Sequence, residues 1–450
     1  MTLRPISGLG HLCALFPALG KTTMKTAVLM SVVVANVAGA QVQEEWASRY
    51  HGPGGLDAAF ALQLDAKGNV YVTGPSMGVG SGFDFATIKY DPSGVELWVA
   101  RYNGPGNGDD RSRAIAVDTD GNVYVTGSSR GVDSGDDFAT VKYDADGNEL
   151  WVARYNGEAN RDDRSFAIAL DSDGNVHVTG WSTQADYVTD YATVKYDSNG
   201  SELWVARYHG PSENHATALA VDSDGNVYVT GDSVDLVSDS DFATVKYDAD
   251  GNELWVARYN GPGNRYDGAV AIVVDLEQNV YVAGESLGID TGFDYATVKY
   301  DADGNELWVA RYNGPGNTDE LPSAMAQDAL GNILVTGGSG VRGVDRTWEY
   351  TTVKYDADGA ELWVARYHGP RDTYNFATAV AVDSTTDVYV TGMNTASGYT
   401  TVKYLADGTE QWVASYAGDV ATAITVDDAP NVYVTGSSGS AIATVKYSQQ

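Results

Sequence analysis

One tryptophan recurs eight times at a nearly constant interval, and this repeat constrains the fold more than any other feature of the sequence. The repeated tryptophans are spaced 49–55 residues apart: Trp46, Trp98, Trp151, Trp204, Trp255, Trp308, Trp363 and Trp412. Each lies in a segment similar to ELWVARY, and segments similar to AIAVD, NVYVTG and ATVKY recur with it. These are short runs of alternating or β-branched residues bounded by Gly, Asn and Asp, as expected of strands and turns. Four short strands in every ~50 residues predict the blades of a β-propeller.

The order of the segments predicts how the ring closes. The chain opens on an ELWVARY-type strand at residues 44–50 and ends on the other three types at residues 421–447. Since a propeller avoids open sheet edges, the first strand is expected to complete the last blade. We predict an all-β, eight-bladed propeller of four-stranded antiparallel blades, closed three-plus-one by the N-terminal strand; seven blades with one spare unit is the alternative. AIAVD is assigned to the innermost strand A, NVYVTG to strand B, ATVKY to strand C and ELWVARY to the outermost strand D.

Residues 1–40 have the three parts of a secretory signal peptide. Lys21 and Lys25 precede an uncharged run, and Ala38-Gly39-Ala40 follows it as an A-x-A cleavage site. A buried N-terminal helix is the alternative, and Met24 is an alternative start of translation. We expect residues 41–450 to form a single propeller domain that is secreted or periplasmic. The chain's single cysteine lies within residues 1–40, so no disulfide is expected in the exported protein.

The repeated motif AVDSDGNVYVTG…DFATVKYDADGNELWVARY resembles the SBBP-type bacterial β-propeller repeat, and the similarity extends over residues 44–447. This resemblance implies a propeller fold in an exported bacterial protein, and it implies little about function. The family name implies seven blades, from which the count of eight departs.

The charge balance excludes two classes of partner. The sequence has 28 Lys plus Arg against 61 Asp plus Glu, which gives a formal net charge of −33. Such a surface repels nucleic-acid phosphates and anionic lipid headgroups. We therefore expect no nucleic acid as partner, no membrane insertion after signal cleavage, and a monomer.

Two regular charge patterns are interpreted as structural. Seven of the eight strand-C lysines precede a glutamate by seven residues, so Lys142 is predicted to face Glu149 and thereby set the strand register. Lys446 has no such glutamate downstream, and Glu44 is predicted to take its place. The Asp-x-Asp-Gly segments are interpreted as turns, in which Asp binds its own backbone. Calcium at Asp118, Asp120, Asp144 and Asp146 is the alternative, although the bidentate glutamate of an EF-hand is missing. No other metal and no cofactor are expected.

The loops point to a candidate binding surface. The A–B and C–D turns are short and acidic, whereas the B–C and D–A connections on the opposite face are long and varied. Variable loops on a rigid scaffold often carry function, and arginine and exposed aromatic side chains often anchor partners. The candidate binding residues on this face are Arg111, Arg164, Trp181, Tyr187, Arg265, Tyr266, Arg346, Trp348, Arg371 and Tyr374. The alternative is that these loops only pack on one another.

Three functions fit this organisation. The leading hypothesis is an exported, non-catalytic scaffold that binds an unknown protein or glycan through the loop-rich face, with no catalytic residue assigned. The alternative is a secreted hydrolase or lyase with its site at the channel mouth, where Asp109-Asp110 and Asp162-Asp163 would supply the acid and base. A structural spacer domain is the third.

Overall fold

The computed structural model describes residues 35–36, 42–235, 239–341, 347–370 and 373–449. Two candidate binding residues, Arg346 and Arg371, lie outside the described residues, as does nearly all of the predicted signal peptide. Two strands precede the first blade, namely β1 (Ala35–Asn36) and β2 (Val42–Tyr50). All regular secondary structure in the described part of the chain is β-strand.

Four-stranded antiparallel blades follow in chain order, and strands A to D are consecutive in sequence in blades 1–7. Blade 1 contains β3 (Ala61–Leu64), β4 (Val70–Met77), β5 (Phe83–Tyr90) and β6 (Glu96–Tyr102). Blade 2 contains β7 (Asp110–Val117), β8 (Val123–Arg130), β9 (Asp136–Tyr143) and β10 (Glu149–Tyr155). Blade 3 contains β11 (Asp163–Leu170), β12 (Val176–Thr183), β13 (Thr189–Tyr196) and β14 (Glu202–Tyr208). Blade 4 contains β15 (Asn214–Val221), β16 (Val227–Asp235), β17 (Asp239–Tyr247) and β18 (Glu253–Tyr259).

The second half of the ring repeats this arrangement. Blade 5 contains β19 (Asp267–Val274), β20 (Val280–Leu287), β21 (Phe293–Tyr300) and β22 (Glu306–Tyr312). Blade 6 contains β23 (Glu320–Gln327), β24 (Ile333–Gly340), β25 (Trp348–Tyr355) and β26 (Glu361–Tyr367). Blade 7 contains β27 (Asn375–Val382), β28 (Val388–Asn394), β29 (Gly398–Tyr404) and β30 (Glu410–Tyr416), and β1 pairs with the outer edge of β30. Blade 8 contains β31 (Val420–Val426), β32 (Val432–Ser438) and β33 (Ala441–Gln449), and β2 is its outermost strand.

The eight-bladed ring and its three-plus-one closure are confirmed. Each innermost strand lies beside the innermost strand of the next blade, and β31 lies beside β3. At the closure, Arg49 Nε of β2 donates to the Tyr416 hydroxyl of blade 7 at 2.8 Å. Lys446 binds Glu45 at 2.9 Å rather than the predicted Glu44. Because eight blades close the ring, the seven-bladed alternative is wrong.

The hydrophobic core lies between the blades. Tyr71 and Phe85 of blade 1 pack with Val123, Val125 and Tyr143 of blade 2, and equivalent clusters occur at the other blade interfaces. Strands B and C are buried on both sides, because each blade is covered by a neighbour on both faces. Burial of such side chains contributes about 1.5–3 kcal/mol each and makes the ring depend on every blade.

The arginine of the ELWVARY segment joins neighbouring blades, a role that the sequence did not reveal. Arg154 Nη1 donates to the Tyr102 hydroxyl of the preceding blade at 2.8 Å and to Ser129 Oγ at 2.6 Å. Its Nη2 donates to the Ser129 carbonyl at 2.9 Å and to Asp137 at 2.8 Å. Equivalent arginine–tyrosine pairs are Arg101–Tyr50, Arg207–Tyr155, Arg258–Tyr208, Arg311–Tyr259 and Arg366–Tyr312.

The predicted register of strands C and D is wrong by two residues at the lysine. Lys142 lies opposite Trp151 rather than Glu149, because the register shifts at Leu150, as in a β-bulge. Lys142 Nζ instead donates to the carbonyl of Ser198 in the next blade at 3.0 Å, and Trp151 Nε1 donates to the same oxygen at 3.1 Å. The lysine is structural, as expected, but it joins two blades instead of two strands.

Candidate functional site

The carboxylates have different structural roles on the two faces of the ring. On the turn face, formed by the A–B and C–D turns, Asp118 Oδ1 accepts the backbone N–H groups of Asp120 and Asn122 at 3.0 and 2.8 Å. Its Oδ2 accepts the Asn122 amide at 2.7 Å and the Tyr124 hydroxyl at 3.1 Å. Both oxygens of this aspartate therefore bind groups in and next to its own turn.

The turn beginning at Asp144 repeats this pattern. Its Oδ1 accepts the backbone N–H groups of Asp146 and Asn148 at 2.9 and 2.8 Å, and its Oδ2 accepts the Asn148 amide at 2.9 Å. Across the described ranges, no group of three or more His, Cys, Asp or Glu side chains is placed to hold a metal ion. The geometry favours turn formation as the role of these aspartates.

On the loop face, formed by the B–C and D–A connections, a buried acid anchors the D–A connection at the start of the innermost strand. Asp110 is completely buried, and its Oδ2 accepts the Gly104 N–H at 2.7 Å while its Oδ1 accepts the Arg130 N–H at 2.9 Å. Burial raises the pKa of Asp110 and raises the pKa of Asp163 to about 6. The residues of the predicted acid–base pairs are thus separated, since Asp110 and Asp163 face the interior.

The innermost strands begin four residues earlier than AIAVD predicts, so several predicted loop residues lie on strands. Arg111 and Arg164 are the second residues of β7 and β11, and Trp181 lies on β12. They belong to a cluster that we call the mouth, the loop-face end of the central channel over blades 2–5. The mouth is formed by Arg111, Arg130, Asp136, Asp162, Arg164, Trp181, His215, Asp232, Tyr266 and Glu285.

A network of ion pairs fixes the arginines of the mouth. Asp136 binds Arg130 at 2.9 Å and Arg164 at 3.0 Å, and its N–H donates to Asp162 at 3.0 Å. The two arginine side chains are 42% and 43% exposed, whereas Asp136 is almost fully buried. Burial raises the pKa of Asp136 despite both arginines. The guanidinium groups are therefore held in place while each keeps a face open to solvent.

Aromatic side chains continue the mouth toward blade 4. The Arg164 guanidinium lies 5.4 Å from the Trp181 ring, and the Trp181 and His215 rings meet edge to face at 5.8 Å. His215 Nδ1 lies 3.2 Å from Asp232, and its Nε2 lies 3.1 Å from Thr189 Oγ1. Burial opposes the charge of His215, but the hydrogen bond and the charge of Asp232 outweigh it and raise the histidine pKa.

The far side of the mouth is acidic. Tyr266 is half-buried, and the charges of Asp232, Glu285 and Asp239 add to burial in raising its pKa well above the usual range. Its ring meets Phe293 edge to face at 5.9 Å. The mouth therefore has ion-paired arginines over blades 2 and 3 and mainly carboxylates over blades 4 and 5.

Arg111 lies at the edge of the mouth, and Tyr187 and Arg265 lie around it. Arg111 lies 4.4 Å from the Phe83 ring and binds Asp109 at 2.9 Å, next to the ion-pair network. Tyr187 is 70% exposed on a B–C loop with Arg161 stacked 3.5 Å from its ring. Arg265 precedes Tyr266 on a D–A connection.

A second aromatic group lies on blades 6 and 7. The Trp348 ring is 5.9 Å from Tyr374 and 5.8 Å from Phe376. The structure thus divides the predicted surface into the mouth and this separate group.

Sequence reasoning missed His215 and Asp136 as members of the mouth. His215 is isolated in the sequence, and Asp136 precedes a repeated segment without belonging to it. One feature of the sequence could have pointed to these residues. At one position of the innermost strand the residue type varies from blade to blade, although the rest of the strand is nearly uniform. At the register position of Arg111, the innermost strands of blades 2–8 have Arg111, Arg164, His215, Gly268, Leu321, Phe376 and Val420.

Within the described ranges, no helix has the length and apolar character needed to cross a membrane.

Comparisons with known proteins agree with the fold. Residues 97–133 and 151–187 match the SBBP β-propeller repeat, so the chain carries the repeat that its motif resembles. A segment of 133 residues is 31% identical to regulatory protein FlaEY of Caulobacter vibrioides and covers 26% of this chain and 14% of that protein. An uncharacterised WD repeat-containing protein of Acanthamoeba polyphaga mimivirus is 23% identical over 284 residues, covering 50% of this chain and 20% of the relative.

These alignments span only a minor part of each relative's length. Among solved structures, the Dos1 propeller superposes with a TM-score of 0.57 at 10% identity, covering 90% of this chain and 95% of that one. This similarity concerns the propeller fold alone.

Proposed function

We propose that this chain of SBBP-type repeats is an exported, non-catalytic interaction propeller that binds a partner through the mouth. The observation that carries the proposal is the fixed, half-exposed pair Arg130 and Arg164 beside Trp181. Arginine and tryptophan held in place at low entropic cost are the side chains that most often dominate binding energy.

The contrast with the repeated charges supports this assignment. Arg154, Lys142 and Asp118 represent the three repeated charged positions, and each is engaged in joining blades or forming turns. The charges that depart from the repeat concentrate at the mouth. The stability of the ring alone does not require charged residues that depart from the repeat.

The proposal of export depends on residues 1–40, whose charge pattern and cleavage site are those of a signal peptide. Cell fractionation with N-terminal sequencing tests it. We expect the protein outside the cytoplasm with Gln41 as its first residue, and an intact residue 1 in the cytoplasm would contradict export.

Arrays of peptides and glycans test the binding proposal directly. The wild type is compared with the double variant Arg164→Gln/Trp181→Ala and with Trp348→Ala, which removes a loop-face tryptophan outside the mouth. We expect the double variant to lose binding by about tenfold or more, and Trp348→Ala to retain it. Thermal unfolding of each variant serves as the check on folding.

The opposite result would contradict the proposal that the mouth is the binding surface. Binding that survives Arg164→Gln/Trp181→Ala and falls in Trp348→Ala would move the binding surface to blades 6 and 7. Absence of binding on every array would contradict an interaction role for peptides and glycans alike.

A further inference from the structure

Arg49 of blade 8 occupies the repeated arginine position of strand D but has no acid beside it. In blade 2, Arg154 binds Asp137 of strand C at 2.8 Å, whereas blade 8 has Ala441 at the position of this acid. The equivalent arginine side chains that bind a strand-C acid are 21–26% exposed, and Arg49 is more exposed than these. Within the described residues, no ion pair neutralises Arg49. Its positive charge therefore reaches the surface uncompensated.

Only part of the Arg49 guanidinium group is used by the protein itself. Its Nε donates to the Tyr416 hydroxyl at 2.8 Å, and its Nη2 donates to the Ala417 carbonyl at 3.3 Å. In Arg154, by contrast, both Nη atoms have partners at distances of 2.6–2.9 Å. In the part of the chain that the structure describes, Nη1 of Arg49 has no hydrogen-bond partner. Its two N–H donors remain available to a ligand.

Short loops leave a depression beside Arg49 on the loop face. Residues 417–419 connect blades 7 and 8, whereas the longer segment 103–109 connects blades 1 and 2. Residues 439–440 join strands B and C of blade 8, and residues 131–135 join the same strands of blade 2. The depression has a volume of about 460 Å³, a size that suits a small molecule. The polar residues that line it include Arg49, Asn394, Ser397 and Asp419.

The depression also contains an exposed carboxylate. Asp419 directly precedes β31, at the position that the completely buried Asp110 occupies in blade 2, but Asp419 is exposed. Its Oδ2 accepts the Gly439 N–H at 2.7 Å, and no ion pair joins it to Arg49. Burial raises the pKa of Tyr399; the charge of Asp419 adds to this rise and that of Arg49 opposes it, so both charges lie near the same phenol.

We propose that this depression binds a free α-amino acid, with its carboxylate on Arg49 and its ammonium group on Asp419. A guanidinium group presents a planar fork of donors that matches a carboxylate, and the ligand supplies the anion that blade 8 lacks. This site is separate from the mouth, which lies over blades 2–5, and it goes beyond the proposed function.

The charges around the depression favour a zwitterion over a simple anion or cation. A ligand with only a carboxylate is repelled by Asp419 and by the net charge of −33, whereas a ligand with only an ammonium group is repelled by Arg49. An α-amino acid satisfies both groups and carries no net charge. Met393, Ala396 and Val420 also line the depression and offer apolar surface to its side chain.

Equilibrium dialysis against three matched mixtures tests the proposal. The full-length protein is dialysed against the proteinogenic α-amino acids, against their N-acetyl derivatives and against their α-carboxamides, and the retained compounds are quantified by mass spectrometry. We expect the wild type to retain one or more free amino acids about tenfold better than either derivative, because each derivative lacks one of the two charges.

The repeat itself supplies a matched variant. Ala441→Asp restores the acid of the other blades, which should occupy Arg49 and abolish retention. Arg49→Gln should lower retention by about tenfold or more, and Arg49→Lys should lower it less. Lys67→Gln removes an exposed positive charge from the turn face and should preserve retention. Thermal unfolding of each variant checks that the ring is folded.

The outcomes decide between this site and its alternatives. Retention that persists in both Ala441→Asp and Arg49→Gln, or no retention from any mixture, would overturn the site. N-acetyl derivatives retained as well as the free amino acids would overturn the role of Asp419 and the zwitterion. If neither variant folds, Arg49→Lys and Asp419→Asn still decide, because Asp419→Asn should reduce retention of the free amino acids to that of the N-acetyl derivatives. Binding at the mouth is measured separately with Arg164→Gln/Trp181→Ala, so either proposal can fail alone.

Discussion

At the scale of single residues, the buried acids at the start of the innermost strands make stability depend on pH. Burial raises the pKa of Asp163 and Asp267 to about 6 and the pKa of Glu320 to about 7. As pH rises above about 4, these groups lose their protons first in the unfolded chain. The free energy of unfolding therefore falls as the pH rises to about 7, by about 1.4 kcal/mol per pH unit for each group.

Blades 4 and 7 show how to remove this dependence, because Asn214 and Asn375 occupy the same position with a neutral amide. We predict that Asp163→Asn/Asp267→Asn raises the free energy of unfolding at pH 8 by about 1–3 kcal/mol per site and changes it little at pH 4. Urea unfolding between pH 4 and pH 8 measures the difference. The reverse change, Asn214→Asp, should destabilise the protein at pH 8 only, and equal effects at both pH values would contradict this account.

At the scale of structural elements, the strand-C acid accompanies the strand-D arginine in blades 1–6, whereas blade 8 has Arg49 with Ala441 at the acid position. Arg154 binds Asp137 in blade 2, whereas in blade 7 Ser415 occupies the arginine position and Gly398 the acid position. An unpaired buried carboxylate is costly, which explains why both are absent from the same blade.

We predict that Arg154→Met lowers the free energy of unfolding by about 3–5 kcal/mol, because it leaves Asp137 buried without its ion pair. Adding Asp137→Asn should restore part of this loss. Arg164→Gln, on the half-exposed surface, serves as the control and should cost about 1 kcal/mol or less. Urea unfolding of the four proteins measures these effects, and a double variant no more stable than Arg154→Met would refute the pairing.

The strands also show which features of the fold could be predicted from the sequence and which could not. Strand order, blade number and closure follow from the sequence because alternation and turn residues repeat so regularly. The bulge at Leu150 could not be predicted in this way, because it depends on how Trp151 packs between Tyr124 of a neighbouring strand and Tyr196 of the next blade.

The start of the innermost strand was also missed. The segment that contains Arg111 and Arg113 lacks apolar alternation, because its side chains line a channel instead of a core. These residues were therefore assigned to a loop.

At the scale of the whole molecule, the ring separates opposite charges. Turn aspartates such as Asp118 and Asp144 lie on one face, and the arginines that depart from the repeat gather at the mouth and in the channel below it. The net charge of −33 therefore conceals a local concentration of arginines near the axis of the ring on the loop face. This polarity is the physical basis for the proposed binding surface.

Amide hydrogen exchange of the full-length protein, with and without a peptide or glycan retained on the arrays, tests that surface most directly. The account predicts added protection in residues 108–113, 161–166, 181–187 and 213–217, and unchanged exchange in the turns of the opposite face. Protection confined to the Asp-x-Asp-Gly turns or to the outer strands would contradict it.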